Sequence, residues 1–428
     1  MRNKHDKLID NKSSVKRSGH KETSRLWFGL LFVIILIGLG LSLYVVTRPS
    51  PVAYKPEVKM PDKQLAAVSP KVTPTDKPVK EVAGDTAIND AKEKTDVSKA
   101  IKGIYISADA AASNKMQDLI HMADSTEINA MVIDVKNDSG KISYQMNSSL
   151  AKEIGATTNT IPNMKALVKQ LKEKNIYLIA RIVAFKDPYL AKKRSDLAIK
   201  NKDGSIYLDS NKAGWINPYN KKVWEYLVDV ASQAAATGFD EVQFDYIRFS
   251  TSKAIAKADF GKEADNKSKE EIITEFTKYA YNKLKPLGVN VSADVYGTII
   301  ASSIDAQLVG QNYMEMSKYL DYICPMIYPS HFSKGNFGVK YPDMEPFTVI
   351  SKILALSASK LNKLPESTHH AIVRPWLQDF TATWIDPHLI YGGDELREEI
   401  EGVYSVGYGE WLLWNSGCKY SEDGLLKE

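Results

Sequence analysis

Two aspartates stand out as residues whose type and position could do chemistry. Asp245 closes the apolar run within Gly238-Phe-Asp-Glu-Val-Gln-Phe-Asp-Tyr-Ile-Arg-Phe249, and Asp294 lies inside Val291-Ser-Ala-Asp-Val-Tyr296. A pair of carboxyls can divide labour: one ionised as nucleophile or base, the other protonated as acid for a leaving oxygen. Like charges held close push their pKa values apart, which supplies that division. Such a pair suits cleavage of a glycosidic bond.

Further polar residues sit on neighbouring strand-like runs. Asp134 and Lys136 share a face of Met-Val-Ile-Asp-Val-Lys, and Arg181 lies in Leu-Ile-Ala-Arg-Ile-Val. Arg374, Trp376 and Gln378 alternate along one run, Tyr328 ends another, and Trp414 ends the last. Residues two apart share a face of a strand. An unpaired charge inside a core is costly, so an inward polar set needs a use. For any one residue a structural ion pair is an equal reading: Asp134 with Lys136 or Arg181, Asp245 with Arg248 or Arg374. Charges from five different strands are harder to justify by packing alone. We expect Asp245 and Asp294 to be catalytic. Asp134, Lys136, Arg181, Tyr328, Arg374, Trp376, Gln378 and Trp414 are expected to contact substrate at one mouth, the tryptophans by stacking on sugar rings.

The elements that must position these residues alternate strictly. The pattern predicts strands at 103–108, 130–136, 176–185, 241–249, 290–297, 322–329, 370–380 and 410–415. Amphipathic segments at 114–125, 163–174, 221–237, 269–284, 312–318, 345–359 and 394–406 predict helices between them. Eight such units call for a parallel sheet closed into a (β/α)8 TIM barrel. An open doubly wound sheet would carry a Gly-rich turn after the first strand, and Ser107-Ala-Asp-Ala-Ala-Ala-Ser113 is not one. Segments before strands are short and those after them long, as in a barrel that builds its cleft at the strand C-termini. The long segments hold Tyr144, Tyr189, Tyr207, Trp215, Tyr219, Phe260, His331, Phe332, Phe337 and Tyr341, suited either to sugar stacking or to packing the loops down.

The first hundred residues read differently. Residues 1–25 form a basic tail, and residues 26–46 are almost purely apolar, with Trp27 and Tyr44 near the ends. About 20 apolar residues match the bilayer core, and the preceding positive charge keeps the N-terminus cytoplasmic. The run is longer than a signal-peptide core and no small-residue cleavage site follows, which favours an uncleaved anchor. Residues 47–100 carry scattered prolines and few large apolar residues, and predict a disordered spacer of roughly 40 Å reach. Residues 101–428 are then the folded domain, outside the cell membrane.

Composition excludes several classes. Net charge is +4 over 428 residues with basic and acidic residues interleaved, so no nucleic-acid groove is expected. The two cysteines, Cys324 and Cys418, make no disulfide scaffold. None of the seven histidines forms a His-x-x-x-His or His-Glu-x-x-His spacing, and His369 and His370 precede a strand, at the wrong end of a barrel. No Gly-x-Ser-x-Gly elbow and no phosphate-binding Gly-Lys loop is present. We expect no metal and no cofactor.

Lys102-Gly-Ile-Tyr-Ile-Ser107, Ala130-Met-Val-Ile-Asp-Val-Lys-Asn137, the Phe-Asp-Tyr-Ile-Arg-Phe piece, Ser292-Ala-Asp-Val-Tyr-Gly297, Cys324-Pro-Met-Ile-Tyr-Pro329 and Arg374-Pro-Trp-Leu-Gln-Asp379 together resemble a bacterial family labelled as glycoside hydrolase domains. The resemblance runs from about Ile101 to the C-terminus. It implies a TIM barrel distantly similar to the α-amylase and α-galactosidase groups, which carry an aspartate nucleophile at the end of strand four, matching Asp245. The amylase-like acid on strand five is a glutamate where this chain has Asp294, so Asp134 and Asp379 stay open as alternatives. The expectation is a membrane-anchored hydrolase of an envelope or extracellular polysaccharide. The alternative is a non-catalytic carbohydrate-binding barrel that tethers wall polymer to the membrane.

Overall fold

The computed structural model describes residues 100–427. The tail at 1–25, the span at 26–46 and all but the last residue of the spacer lie outside the described residues. Among the described residues no helix is long and apolar enough to cross a membrane.

Eight parallel strands close into a ring. They are β1 (Lys102–Ile106), β2 (Ala130–Lys136), β3 (Tyr177–Val183), β4 (Glu241–Asp245), β5 (Asn290–Tyr296), β6 (Tyr322–Met326), β7 in two pieces (Ile372–Val373 and Trp376–Gln378) and β8 (Trp411–Trp414). Each pairs with the next in sequence, and β8 returns to β1 with Gly103 beside Leu412. The seven expected helices between them are α1 (Lys115–Ser125), α2 (Met164–Lys172), α3 (Lys221–Thr237), α4 (Lys269–Leu284), α5 (Tyr313–Ser317), α6 (Pro346–Leu361) and α7 (Gly393–Tyr404), and shorter helices lie in the loops. The (β/α)8 expectation therefore holds in outline, with seven of the helices.

Local chemistry explains the boundaries. Strands covered on both faces are mostly apolar, and all seven residues of β2 and of β3 are buried, with the charged exceptions Asp134, Lys136 and Arg181 held in ion pairs. Helix α4 starts on a reciprocal cap, in which the Ser268 hydroxyl takes the Glu271 N–H and the Glu271 carboxylate takes the Ser268 N–H. Helix α3 ends at Gly238, whose φ of 113° turns the chain straight into β4. The run expected as one strand at 370–380 is instead interrupted at Arg374 and Pro375, because proline has no N–H to give a ladder.

The barrel interior is polar at both ends. At the N-terminal end the buried Glu241 carboxylate accepts from the Arg374 guanidinium, from the Ser292 hydroxyl and, at 3.0 Å, from the Tyr177 hydroxyl. Arg374, expected at the mouth, thus belongs to the opposite end. It lies in the break of β7, four residues before Gln378 at the strand's end, and four residues of extended chain span roughly 13 Å.

The long loops after β3 and β4 are joined above the barrel. Lys200–Asn201 pairs antiparallel with Ala258–Asp259, the Tyr207 hydroxyl meets Ser250 Oγ at 2.9 Å, and Asn217 Nδ2 donates to the Phe260 carbonyl at 2.9 Å. Tyr207, Trp215 and Tyr219 are buried here, so packing claims these loop aromatics. Cys324 and Cys418 are both free and buried.

Candidate active site

The two aspartates emerge side by side. Gln243 pairs with Ser292 and Phe244 with Ala293, so the next residues, Asp245 and Asp294, continue adjacent strands in register. Neighbouring strands run about 4.8 Å apart. Directly after Asp245 the chain turns at Tyr246, which has a φ of 50°. A bulky residue rarely adopts that conformation, and such strain concentrates at functional sites. The turn lets the Tyr246 N–H donate to Asp245 Oδ1 at 2.6 Å.

The surroundings of the two carboxyls differ. Arg181 donates to Asp245 Oδ2 from Nη2 at 2.5 Å and from Nε at 3.1 Å, a charge-assisted fork. Its Nη1 donates to Asp134 Oδ1 at 2.5 Å, and the Tyr105 hydroxyl caps Asp134 Oδ2 at 2.7 Å. Burial works against the Arg181 charge, but Asp134 and Asp245 hold its pKa well above the ordinary value. Asp294 receives a neutral donor, the Trp376 indole N–H at 2.6 Å. Burial and the nearby Asp245 push its carboxyl well above the usual range, and the Trp376 bond offsets only part of that. Of the two carboxyls, Asp294 is the one whose surroundings favour the protonated form.

Both aspartates open onto a pocket of about 640 Å³ at the C-terminal ends of the strands. Of the ten expected residues, Arg181, Asp245, Asp294, Tyr328, Trp376 and Trp414 line it. Trp376 is 1% exposed and spends its N–H on Asp294, so it braces the acid rather than offering a stacking face. The Tyr328 hydroxyl has no partner among the described residues, and burial together with Asp294 and Asp245 raises its pKa, so it remains a donor.

The other four are elsewhere. Asp134 sits behind Arg181. Lys136 is fully buried, 2.8 Å from Asp187 and 2.7 Å from the Val183 carbonyl, where it fastens the start of the loop after β3. Gln378 accepts from Ser330 Oγ at 2.7 Å and donates to Asp343 at 3.1 Å, which ties the loops after β6 and β7 together. Arg374 is at the far end, as described. Alternation placed Asp134, Arg374 and Gln378 inward correctly, and their depth and existing partners remove them from the pocket. Lys136 does not share the face of Asp134 as expected, because a register shift between the two sets it beside Ile182.

Sequence reasoning had not assigned Tyr246, Arg248 or Tyr296 to the site, yet all three line the pocket. Tyr296 was legible, since it follows Asp294 by two and shares its face. Arg248 was read as a partner for Asp245, a role that Arg181 takes. From Tyr328 a series of rings runs outward: His331 at 4.9 Å, Phe380 at 5.8 Å, and then Trp384 stacked on Phe380 at 5.9 Å and 64% exposed. Burial lowers the His331 pKa, leaving a neutral ring. Among the described residues no group of three His, Cys, Asp or Glu side chains is arranged to hold a metal ion.

Comparison with known proteins bears on the family and the fold. Residues 103–420 match the family described as "Putative glycosyl hydrolase domain", and the chain belongs to that family. The PgaB (BpsB) glycoside hydrolase domain from Bordetella bronchiseptica is similar over 77% of this chain and 99% of its own, at 11% identity and a TM-score of 0.55, a likeness of fold. A hypothetical protein from Ruminiclostridium thermocellum is 39% identical over 45% of this chain and 97% of its own, with a TM-score of 0.42. The α-galactosidase TtGalA from Thermus thermophilus, solved with p-nitrophenyl α-D-galactopyranoside, covers 75% of this chain and 59% of its own at 13% identity and a TM-score of 0.43. No curated protein matches.

Proposed function

On that family membership, we propose that the chain is a glycoside hydrolase that cuts an envelope or extracellular polysaccharide with Asp245 and Asp294. The observation that carries the reading is the asymmetry of the pair. Two carboxyls share one pocket, Asp245 against a guanidinium and Asp294 against an indole N–H with its pKa raised by burial. Asp245 is then the nucleophile or base, and Asp294 gives its proton to the leaving glycosidic oxygen. Product stereochemistry read by NMR would distinguish retention, with Asp245 as nucleophile, from inversion, with Asp245 as base. Arg181 orients Asp245, and Tyr328 and Trp414 contact the sugar. None of these steps calls on a cofactor.

Residues 26–46 would anchor the chain in the cell membrane, with the N-terminus cytoplasmic and residues 47–100 spacing the barrel from the outer face. The apolar run and its basic flank support this. Protease treatment of intact cells should remove the barrel and spare the tail; protection of the barrel would refute the orientation.

The activity test uses the full chain in detergent with wall and extracellular polysaccharides, reading new reducing ends. Asp245→Asn should lower turnover at least about a hundredfold with the melting temperature held. Equal turnover by the variant removes the catalytic claim. Retention of polysaccharide by the wild type without new ends makes the barrel a binder.

A further inference from the structure

A second pocket, of about 200 Å³, adjoins the first and shares Tyr246, Arg248, Thr251 and Tyr296 with it. Arg248 stands on the common wall and is 6% exposed. One of its N–H groups is spent: Nη1 donates to the Phe249 carbonyl at 2.9 Å. Nε and Nη2 have no partner among the described residues, and no described carboxylate forms an ion pair with it. Three rings crowd the guanidinium, Tyr296 at 4.5 Å, Tyr246 at 4.7 Å and Trp215 at 5.4 Å.

That arrangement is unusual for a buried cation, which is ordinarily paired. Two of the acids lining the pockets are committed elsewhere. Asp245 faces Arg181. Asp209, which lines the second pocket, accepts from the Trp215 indole N–H and from the backbone of Asn211 and Ala213, each at 2.9 Å. Lys186 adds positive charge across the pocket, 4.7 Å from the Tyr246 ring, and is balanced by the exposed Asp138 at 2.9 Å. Aromatic contact holds Arg248 in place without neutralising it. What remains is a fork of two N–H donors, unpartnered among the described residues, lining a cavity of about 200 Å³, beside the sugar unit that Asp245 would attack.

We propose that the second pocket is a subsite for an acidic glycan, in which Arg248 clamps the anionic group, carboxylate or phosphate, of the unit next to the one cleaved. This deepens the glycosidase reading and rests on it. Lys186 adds attraction without fixing geometry, since an ammonium is a point charge on a flexible stem.

The test measures affinity with the full chain in detergent, in an Asp245→Asn background that prevents turnover. The probes are galacturonate oligomers, their carboxyl-reduced neutral counterparts, and glycerol-phosphate oligomers. One of the two acids is expected to bind at least about tenfold tighter than the neutral oligomer, and which one it is names the source of the charge. Arg248→Met should bring that ratio close to one. Arg248→Lys, which keeps the charge and loses the fork, should retain part of it and serves where the methionine variant does not fold. Equal affinity for acidic and neutral oligomers, or a ratio unchanged by both variants, overturns the inference and leaves the glycosidase reading standing. Binding of no oligomer overturns both.

Discussion

Replacing Glu241 by leucine should cost the barrel about 3–5 kcal/mol, the penalty of leaving a buried charge without its partner. Glu241 and Arg374 are both fully buried. Without the carboxylate, Arg374 keeps only Glu410, at 3.8 Å, as a counter-charge. The Ser292 and Tyr177 hydroxyls lose an acceptor as well, which keeps the cost in the upper part of that range. Arg374→Met strands Glu241 in the same way and should cost a similar amount. The double variant removes both charges and restores an apolar layer, so it should lie within about 1–2 kcal/mol of wild type. The coupling between the two sites is then roughly 4 kcal/mol or more. At about 2 °C per kcal/mol, the low end for large domains, each single change should lower the melting temperature by roughly 6–10 °C. Urea unfolding followed by tryptophan fluorescence reads the cycle. Single variants costing under about 1 kcal/mol, or a double variant as unstable as the sum of the singles, would refute the reasoning. So would Arg374→Met that melts like wild type and loses glycan affinity, since Arg374 would then be a substrate ligand after all.

Trp376→Phe removes the N–H that lowers the Asp294 pKa, so that pKa should rise further and the alkaline limb of the pH–rate profile should move to higher pH; an unmoved limb would separate Asp294 from the rate. Lys136→Met strands the buried Asp187, and should cost about 3–5 kcal/mol and speed amide exchange in the loop after β3; a neutral change would show that the pair is dispensable. Asp379, held by the Ser421 N–H at 2.9 Å and hydroxyl at 2.8 Å, has its carboxyl pushed up to about 6 by burial. The folded state binds that proton more tightly than the unfolded chain does. The resulting stabilisation is full below about pH 4 and lost as pH rises through about 6, some 3 kcal/mol at most. Relative to Asp379→Asn, wild type should therefore lose stability between pH 4 and pH 7, as measured by thermal unfolding at both values; a constant difference would refute the shift.

Strand and helix order was legible because alternation of apolar runs survives any detail of packing. The interruption of β7 was signalled by Pro375 but was masked by the apolar residues on both sides of it. Face was legible too: Glu241, Gln243 and Asp245 do point inward together. Depth was not. Glu241 and Asp245 share a face yet lie roughly 13 Å apart, so one neutralises Arg374 at the base while the other opens on the pocket. Partner choice was equally hidden. Asp245 had Arg248 and Arg374 as candidates, and the structure gives it neither: its partner is Arg181, one strand away, a candidate only for Asp134. Arg248 escaped because it follows the positive-φ turn at Tyr246, where strand periodicity no longer applies.

The short ladder joining 200–201 to 258–259 makes two long loops behave as one panel. Lengthening or trimming either would unzip the other, so this side of the cleft should tolerate exchange of side chains far better than insertion. Recognition there would then drift by substitution within a fixed frame, while the opposite rim, where Trp384 projects, is the freer place for grafting a longer reach.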